Sequence, residues 1–249
     1  MLSLGLGLGL TSRGPFSPLH LSDLQLFVDP SDISTLFQDA AGTTPVTSDG
    51  DPVRLVLDKS GNGNNLTAPS DAARPVYKTD GTYHWLEFDG VDDELATSGP
   101  LPFSTSLFNC TAFRQNAWNS SFPEIVSNRG PSLVASQRHP MLFLQQSSVE
   151  IGSNIAPNNM YDIGSLLGVD IVTSMLADGM DREYNNNGSV ASNSDGPVPT
   201  DGSTVSFRIS GGNHMQGRVY GSVQANSVPT AAQIAATRQW FANRSGGIS

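Results

Sequence analysis

The sequence predicts an all-β fold: one two-sheet antiparallel β-sandwich with an extended N-terminal arm and a C-terminal helix. Three observations predict it. Short runs rich in aromatic and β-branched residues alternate with polar positions, as over residues 85–89 and 205–209. Twenty-five Gly and 16 Pro break the chain too often for long helices. An apolar fraction of 37% over 249 residues suits the thin, wide core between two stacked sheets.

Leu2, Leu4, Leu6, Leu8 and Leu10 recur at period two, so an extended chain sets them on one face, opposite Gly5, Gly7 and Gly9. Such a strand packs on its own domain or adds to a neighbouring subunit's sheet, and the second is the expectation. The stretch lacks the basic start and the cleavage site of a secretory leader. Gly14, Pro15 and Pro18 then make a linker. Residues 1–19 are therefore expected to be an anchoring arm and linker, and residues 20–249 one sandwich domain.

Within that domain residues 20–28 read as the first strand. A brief helix follows, with Ser31 as N-cap and Ile33, Leu36 and Phe37 inward, ended by Gly42. Residues 52–57 form a strand, and residues 58–65 are nearly all turn chemistry. The strand through Trp85 and Phe88 runs into an acidic turn at Asp92-Asp93-Glu94 before Leu95 resumes the apolar pattern. Further strands fall at 107–113, 124–127, 141–145, 205–209 and 217–223, with two short ones inside 161–177, broken at Gly164 and Gly168. Residues 230–243 form the helix, capped by Thr230 and Gln233, with Ile234, Thr237, Arg238 and Phe241 on its inner face.

Three of these segments, DPSDISTLFQDAAGTTPV (29–46), DKSGNGN (58–64) and LEFDGVDDELAT (86–97), carry a family resemblance as a set. Together they resemble the laminin-G-like subgroup of concanavalin A-like jelly rolls, in the form found in tailed-bacteriophage virion proteins. The resemblance covers residues 22–244, and it implies a hairpin after Asp178 that turns at Asn187-Gly188. It implies a jelly roll and a place on the virion exterior, at the tail or the capsid surface. The function it implies is that of a non-enzymatic structural subunit of the tail tip or fibre, displaying a lectin-like module for attachment to host-surface glycan. A capsid decoration protein is the alternative, and a polysaccharide-degrading enzyme the second. The arm would grip other virion proteins, and virion symmetry implies a homo-oligomer.

Composition excludes several classes. A net charge of −10 with only 13 Lys and Arg argues against nucleic acid, and no apolar stretch is long enough to insert in a membrane as a helix. The lone Cys110 reads as a small buried hydrophobe. His20, His84, His139 and His214 accompany no nucleophile motif. Glu87, Asp89 and Asp92 approximate alternating carboxylates on a strand, but Gly90 interrupts them, so no catalytic residue is assigned and no enzyme is expected.

Two kinds of site remain. Asp89, Asp92 and Asp93 could hold Ca²⁺ with help from carbonyls of residues 58–64, or form a solvated turn that caps its own amides; no other cofactor is expected. For glycan, an aromatic beside amides is the pattern sought. Trp118 with Asn116 and Asn119 fits it, as does Tyr184 with Asn186, although Trp118 could equally fill the core.

Overall fold

The computed structural model describes residues 14–101, 106–119, 123–129, 141–145, 150–152, 160–162, 167–178, 181–186, 189–194 and 206–247. The expected arm residues Leu2, Leu4, Leu6, Leu8 and Leu10 lie outside these. Two sheets of antiparallel ladders stack face to face. The front sheet holds β1 (Leu24–Val28), β5 (Val76–Thr79), β6 (His84–Asp89), β8 (Ser106–Ala117), β13 (Ile171–Asp178), β14 (Asp181–Asn186), β15 (Ser189–Ser194) and β17 (Gln216–Ala225). Its order is β15-β14-β13-β8-β17-β6-β5, and β1 also pairs with β17. The back sheet holds β2 (Leu36–Phe37), β3 (Leu55–Val56), β4 (Leu66–Thr67), β7 (Leu95–Pro100), β9 (Glu124–Arg129), β10 (Met141–Gln145), β11 (Glu150–Gly152), β12 (Met160–Asp162) and β16 (Ser206–Ile209). Its order is β12-β11-β10-β9-β16-β7-β4-β3-β2.

The core follows from the period-two alternation. Leu26, Val28, Leu86, Phe88, Phe113, Ile171 and Val219 face inward from the front sheet and meet Leu36, Val56, Leu66, Leu95, Val126, Phe207 and Ile209 from the back. A second apolar layer lies on the outside of the front sheet. There Phe27, Trp85, Phe108, Cys110, Ala112, Val172, Tyr220 and Val223 pack with Phe241 and Ala242 of the helix α1 (Ala231–Ser245). Full burial of one Phe contributes roughly 1.5–3 kcal/mol, so this layer holds the helix firmly. Thr230 and Gln233 form the expected capping box, and Gly246 ends the helix at φ 69° with its N–H on the Ala242 carbonyl.

Strand β17 carries a bulge between Val219 and Gly221. It shifts the parity of the strand: Tyr220 and Val223 both reach the outer layer, although they are three residues apart. Gly221 is required by close approach, because a Cβ there would lie 2.7 Å from the Val28 carbonyl oxygen and 2.8 Å from Phe241 Cε1.

The turn-rich loop 58–65 has a structural task. It leaves β3 of the back sheet and covers the open edge of β1 in the front sheet. The Lys59 amide donates to the Phe27 carbonyl at 2.9 Å. The Phe27 amide donates to Asp58 Oδ1 at 3.0 Å, and Asn62 and Asn64 donate to the Leu24 and Gln25 carbonyls at 2.6 and 2.7 Å. Asp58 also accepts from the Ser60 amide, the Ser60 hydroxyl and the Asn64 amide, at 2.8, 2.6 and 3.0 Å.

One expected element is corrected. Residues 31–37 hold a single 3₁₀ turn, Ile33–Thr35, followed by β2, where a short helix was expected. Asp29 and Asp32 take up the local donors: Ser31 Oγ donates to Asp29 Oδ1 and Ser34 Oγ to Asp32 Oδ1. These bonds compete with a helix, and pairing of Leu36 with Val56 extends the chain. The antiparallel pair β9–β10 and the hairpin β14–β15 form as expected, the hairpin's turn at Asn187-Gly188 lying outside the described residues.

Asp58→Ala is expected to cost about 2–4 kcal/mol in urea unfolding, because four donors lose their acceptor. Asp71→Ala, which removes an exposed partner of Arg54, is expected to change stability by less than about 1 kcal/mol.

Candidate functional site

Among the described residues helix α1 packs on β13, β8 and β17, and beyond the buried Trp85 the outer face of β6 carries the partly exposed Glu87 and the exposed Asp89. Strand register sets a row across it: Val76 pairs with Glu87, Glu87 with Arg218, and Arg218 with Arg114. Asp89 and Gln216 follow one pleat further, both exposed. Gly168 lies beside the Arg114 end, where a Cβ would stand 3.5 Å from Arg114 Nη2, and its neighbour Leu167 bridges the inward-facing Gln115. The result is a platform of polar and charged side chains across β6, β17 and β8.

Glu87 is the best-held group on this platform. Trp85 Nε1 donates to its Oε2 at 2.6 Å and Asn116 Nδ2 to its Oε1 at 3.1 Å. Arg218 Nε lies 3.3 Å from Oε2, and its guanidinium stacks 4.4 Å from the Trp85 ring centre. Hydrogen-bond donors on β6 and β8 and a charge on β17 thus fix one carboxylate that is 33% exposed. Alongside, Tyr220 donates to Asp170 Oδ1 at 2.6 Å, and Arg114 Nη1 sits 3.5 Å from Asp170 Oδ2. Burial first, and then the bond to Asp170, push the Tyr220 phenol well above its ordinary value, so Tyr220 is a donor and not a nucleophile.

Asp89, Asp92 and Asp93 do come together, with carboxylate oxygens within 4.8 Å of one another. Asp93 is buried at 4% exposure, and its Oδ2 accepts the Asp89 amide at 2.8 Å. Burial, and then the charges of Asp89 and Asp92, raise the Asp93 carboxyl from 3.8 to about 6. Such a cluster can keep a proton or take a hard cation. Loop 58–64 does not complete it. That loop docks on β1 beside the Ala225 end of β17, whereas Asp89 pairs with Gln216 at the other end, about 25 Å away at strand rise.

The glycan candidates separate. Asn116 is exposed on the platform. Trp118 is half-buried and packs against the inter-sheet core. Asn119 Nδ2 donates to the Gly90 and His214 carbonyls and clamps the acidic turn to the chain before β17. Gly90, at φ 78°, fits under that clamp because a Cβ there would meet Asn119 Nδ2 at 2.6 Å. Tyr184 and Asn186 lie on β14, with side chains outside the described residues. The sequence reading missed Arg218, Trp85, Arg114 and Asp170. Alternation in the strand GRVYGSV could have turned Arg218 outward, but its pairing with Glu87 is a fact of strand order.

No protein-family model matches the chain, and no curated protein matches it. Solved structures do. Domain 4 of AbnA, a GH43 extracellular arabinanase from Geobacillus stearothermophilus, in complex with arabinotriose, is 12% identical, with a TM-score of 0.58 over 85% of this chain and 96% of that domain. A GH54 α-L-arabinofuranosidase is 12% identical, with a TM-score of 0.58 over 78% of this chain and 51% of that one. Trypanosoma rangeli sialidase in complex with sialic acid is 10% identical, with a TM-score of 0.57 over 93% of this chain. The chain spans 35% of that sialidase's length.

The likeness is one of fold, a two-sheet sandwich consistent with the expected jelly roll. It corrects the functional expectation. The similar structures belong to carbohydrate-active enzymes, where the sequence reading placed a non-enzymatic virion subunit. With that reading goes the expectation that the chain has no enzymatic role.

The raised Asp93 carboxyl has a consequence for stability. The folded chain holds this proton more tightly than the unfolded chain, so stability falls as pH rises from about 4 to about 6. Asp93→Asn keeps the acceptor for the Asp89 amide and removes the buried charge. Its melting temperature is expected to exceed wild type at pH 7.5 and to match it at pH 4, as read by thermal denaturation at both values.

Proposed function

We propose that the chain is a carbohydrate-active β-sandwich of polysaccharide breakdown, and that it engages an oligosaccharide on the outer face of β8, β17 and β6. The observation that carries this reading is the partly exposed Glu87 carboxylate, held by Trp85, Asn116 and Arg218 from three adjacent strands. Sugar hydroxyls are recognised by acceptors and donors that cannot swing away, and this group of residues supplies both. Asn116 and Arg218 offer N–H donors, Glu87 and Asp89 offer acceptors, and the Arg218 guanidinium stacked on Trp85 offers a flat surface. The fold match to an oligosaccharide-complexed arabinanase domain over nearly its whole length supports the same reading and names the first probe.

Calorimetric titration with arabinotriose tests it. Wild type is expected to bind saturably, and Asn116→Ala and Arg218→Lys to bind at least about tenfold more weakly, about 1.4 kcal/mol. Trp118→Phe is expected to leave affinity unchanged, since Trp118 packs inward. Absence of binding by wild type, or equal affinity in Asn116→Ala and Arg218→Lys, would remove the platform as the site.

A further inference from the structure

We propose that residues 1–13 fold back along the outer face of α1 in their own chain, and that their leucines cover it. The proposal is independent of the glycan reading. Three features carry it: an apolar helix face turned to solvent, the point where the segment leaves the sandwich, and the segment's own pattern.

The surface comes first. A helix on the outside of a domain ordinarily carries charged or polar residues on its solvent side. Here residues 224–237 contain no charged residue, and the first half of α1 turns Ala231, Ala232 and Ala235 to solvent. Val228, just before the helix, is 43% exposed. Leu19, 52% exposed, belongs to the turn Pro18–His20. That turn is joined to the same end of α1, because Gln233 Nε2 donates to the His20 carbonyl at 3.3 Å. The Ser227 hydroxyl donates to the Ser22 carbonyl at 2.6 Å and draws the segment before α1 against the start of the chain. Among the described residues no element covers these exposed apolar side chains.

The segment leaves the sandwich at this surface. Phe16 packs against the layer under α1, and its ring lies 5.8 Å from that of His20. Gly14 and Pro15, both exposed, precede it. Fully extended, residues 1–13 span up to ~43 Å, and α1 with its 15 residues about 22 Å, so the tether reaches the whole face. A segment tethered this closely meets its own helix at an effective concentration of about millimolar, above that of a second copy in dilute solution.

The pattern fits the surface. Leu2, Leu4, Leu6, Leu8 and Leu10 share one face of an extended chain, and Arg13 is the one charged side chain of the segment. Laid on α1, the leucines cover the alanines, while Gly5, Gly7 and Gly9 leave the backbone open to water, which satisfies its polar groups. The same period suits a neighbouring subunit's sheet, but the tether and the uncharged face beside it favour the segment's own helix.

Maleimide labelling of the Ala235→Cys variant tests the proposal, in the full chain and in a chain lacking residues 2–10. Cys110, fully buried among the residues that pack under α1 and with its thiol pushed well above the ordinary range, is the internal control. Ala235→Cys is expected to label at least about tenfold more slowly in the full chain than in the shortened one. Leu4→Ser, Leu6→Ser and Leu8→Ser together are expected to bring the full chain to the fast rate. Ala232→Cys, one turn earlier, repeats the reading. The slow rate is expected to hold across about a hundredfold range of protein concentration. Equal rates in the full and shortened chains overturn the proposal. Protection that grows with concentration also overturns it and gives the surface to a second copy. Labelling of Cys110 in the shortened chain means that α1 has come away, and overturns covering as the cause of the slow rate.

Discussion

The covered edge of β1 is the constraint on which the rest of the sandwich depends. A strand left open along one side offers its N–H and C=O groups to any passing chain. Here the loop after β3 crosses from the back sheet and satisfies the Phe27 amide and the Leu24, Gln25 and Phe27 carbonyls. The chain therefore ties its two sheets together with polar bonds as well as with the apolar core between them. Lys59 completes the seam by pairing with Asp29 and Asp32 at 2.9 and 2.8 Å. In this arrangement the Gly and Asn residues of the loop are turn-formers that let Asp58 reach four donors at once.

With β1 held there, β17 is shared between two partners on one side. Its last residues pair with β1 and its first with β6. The bulge at Gly221 falls between the two halves. Beyond it the outer face is apolar and lies under α1; before it Arg218 stands outward beside Glu87. The helix and the platform are thus two solutions to one problem, the outer surface of a sheet whose inner surface already forms the core. One half is buried under Phe241 and Ala242, and the other is finished with charged and amide groups that hold one another in place.

Much of this was readable from local pattern. The helix with its Thr230–Gln233 box and the β9–β10 pair follow from period and turn chemistry, and the β14–β15 hairpin from the family resemblance; of the two short strands expected within 161–177, β12 is short but β13 runs for eight residues. What local pattern does not contain is which strands lie side by side. Glu87 and Asp89 could be picked out as alternating carboxylates, but Arg218 and Asn116 join them only through the order β8-β17-β6. The same limit misplaces Trp118. An aromatic beside asparagines reads as a sugar platform, whereas β8 ends at Ala117 and the chain turns the ring toward the core. The helix expected between Ser31 and Gly42 failed for a different reason: two Asp residues with hydroxyl neighbours bond locally before a helix can start.

The central claim is that the outer face of β8, β17 and β6 is where glycan is met. A crystal structure of the chain soaked with arabinotriose tests it most directly. The saccharide should lie across β8, β17 and β6, within hydrogen-bond reach of Asn116, Arg218 and Glu87. Saccharide bound at Tyr184 and Asn186 on the β14–β15 hairpin, with nothing over Glu87, would contradict it.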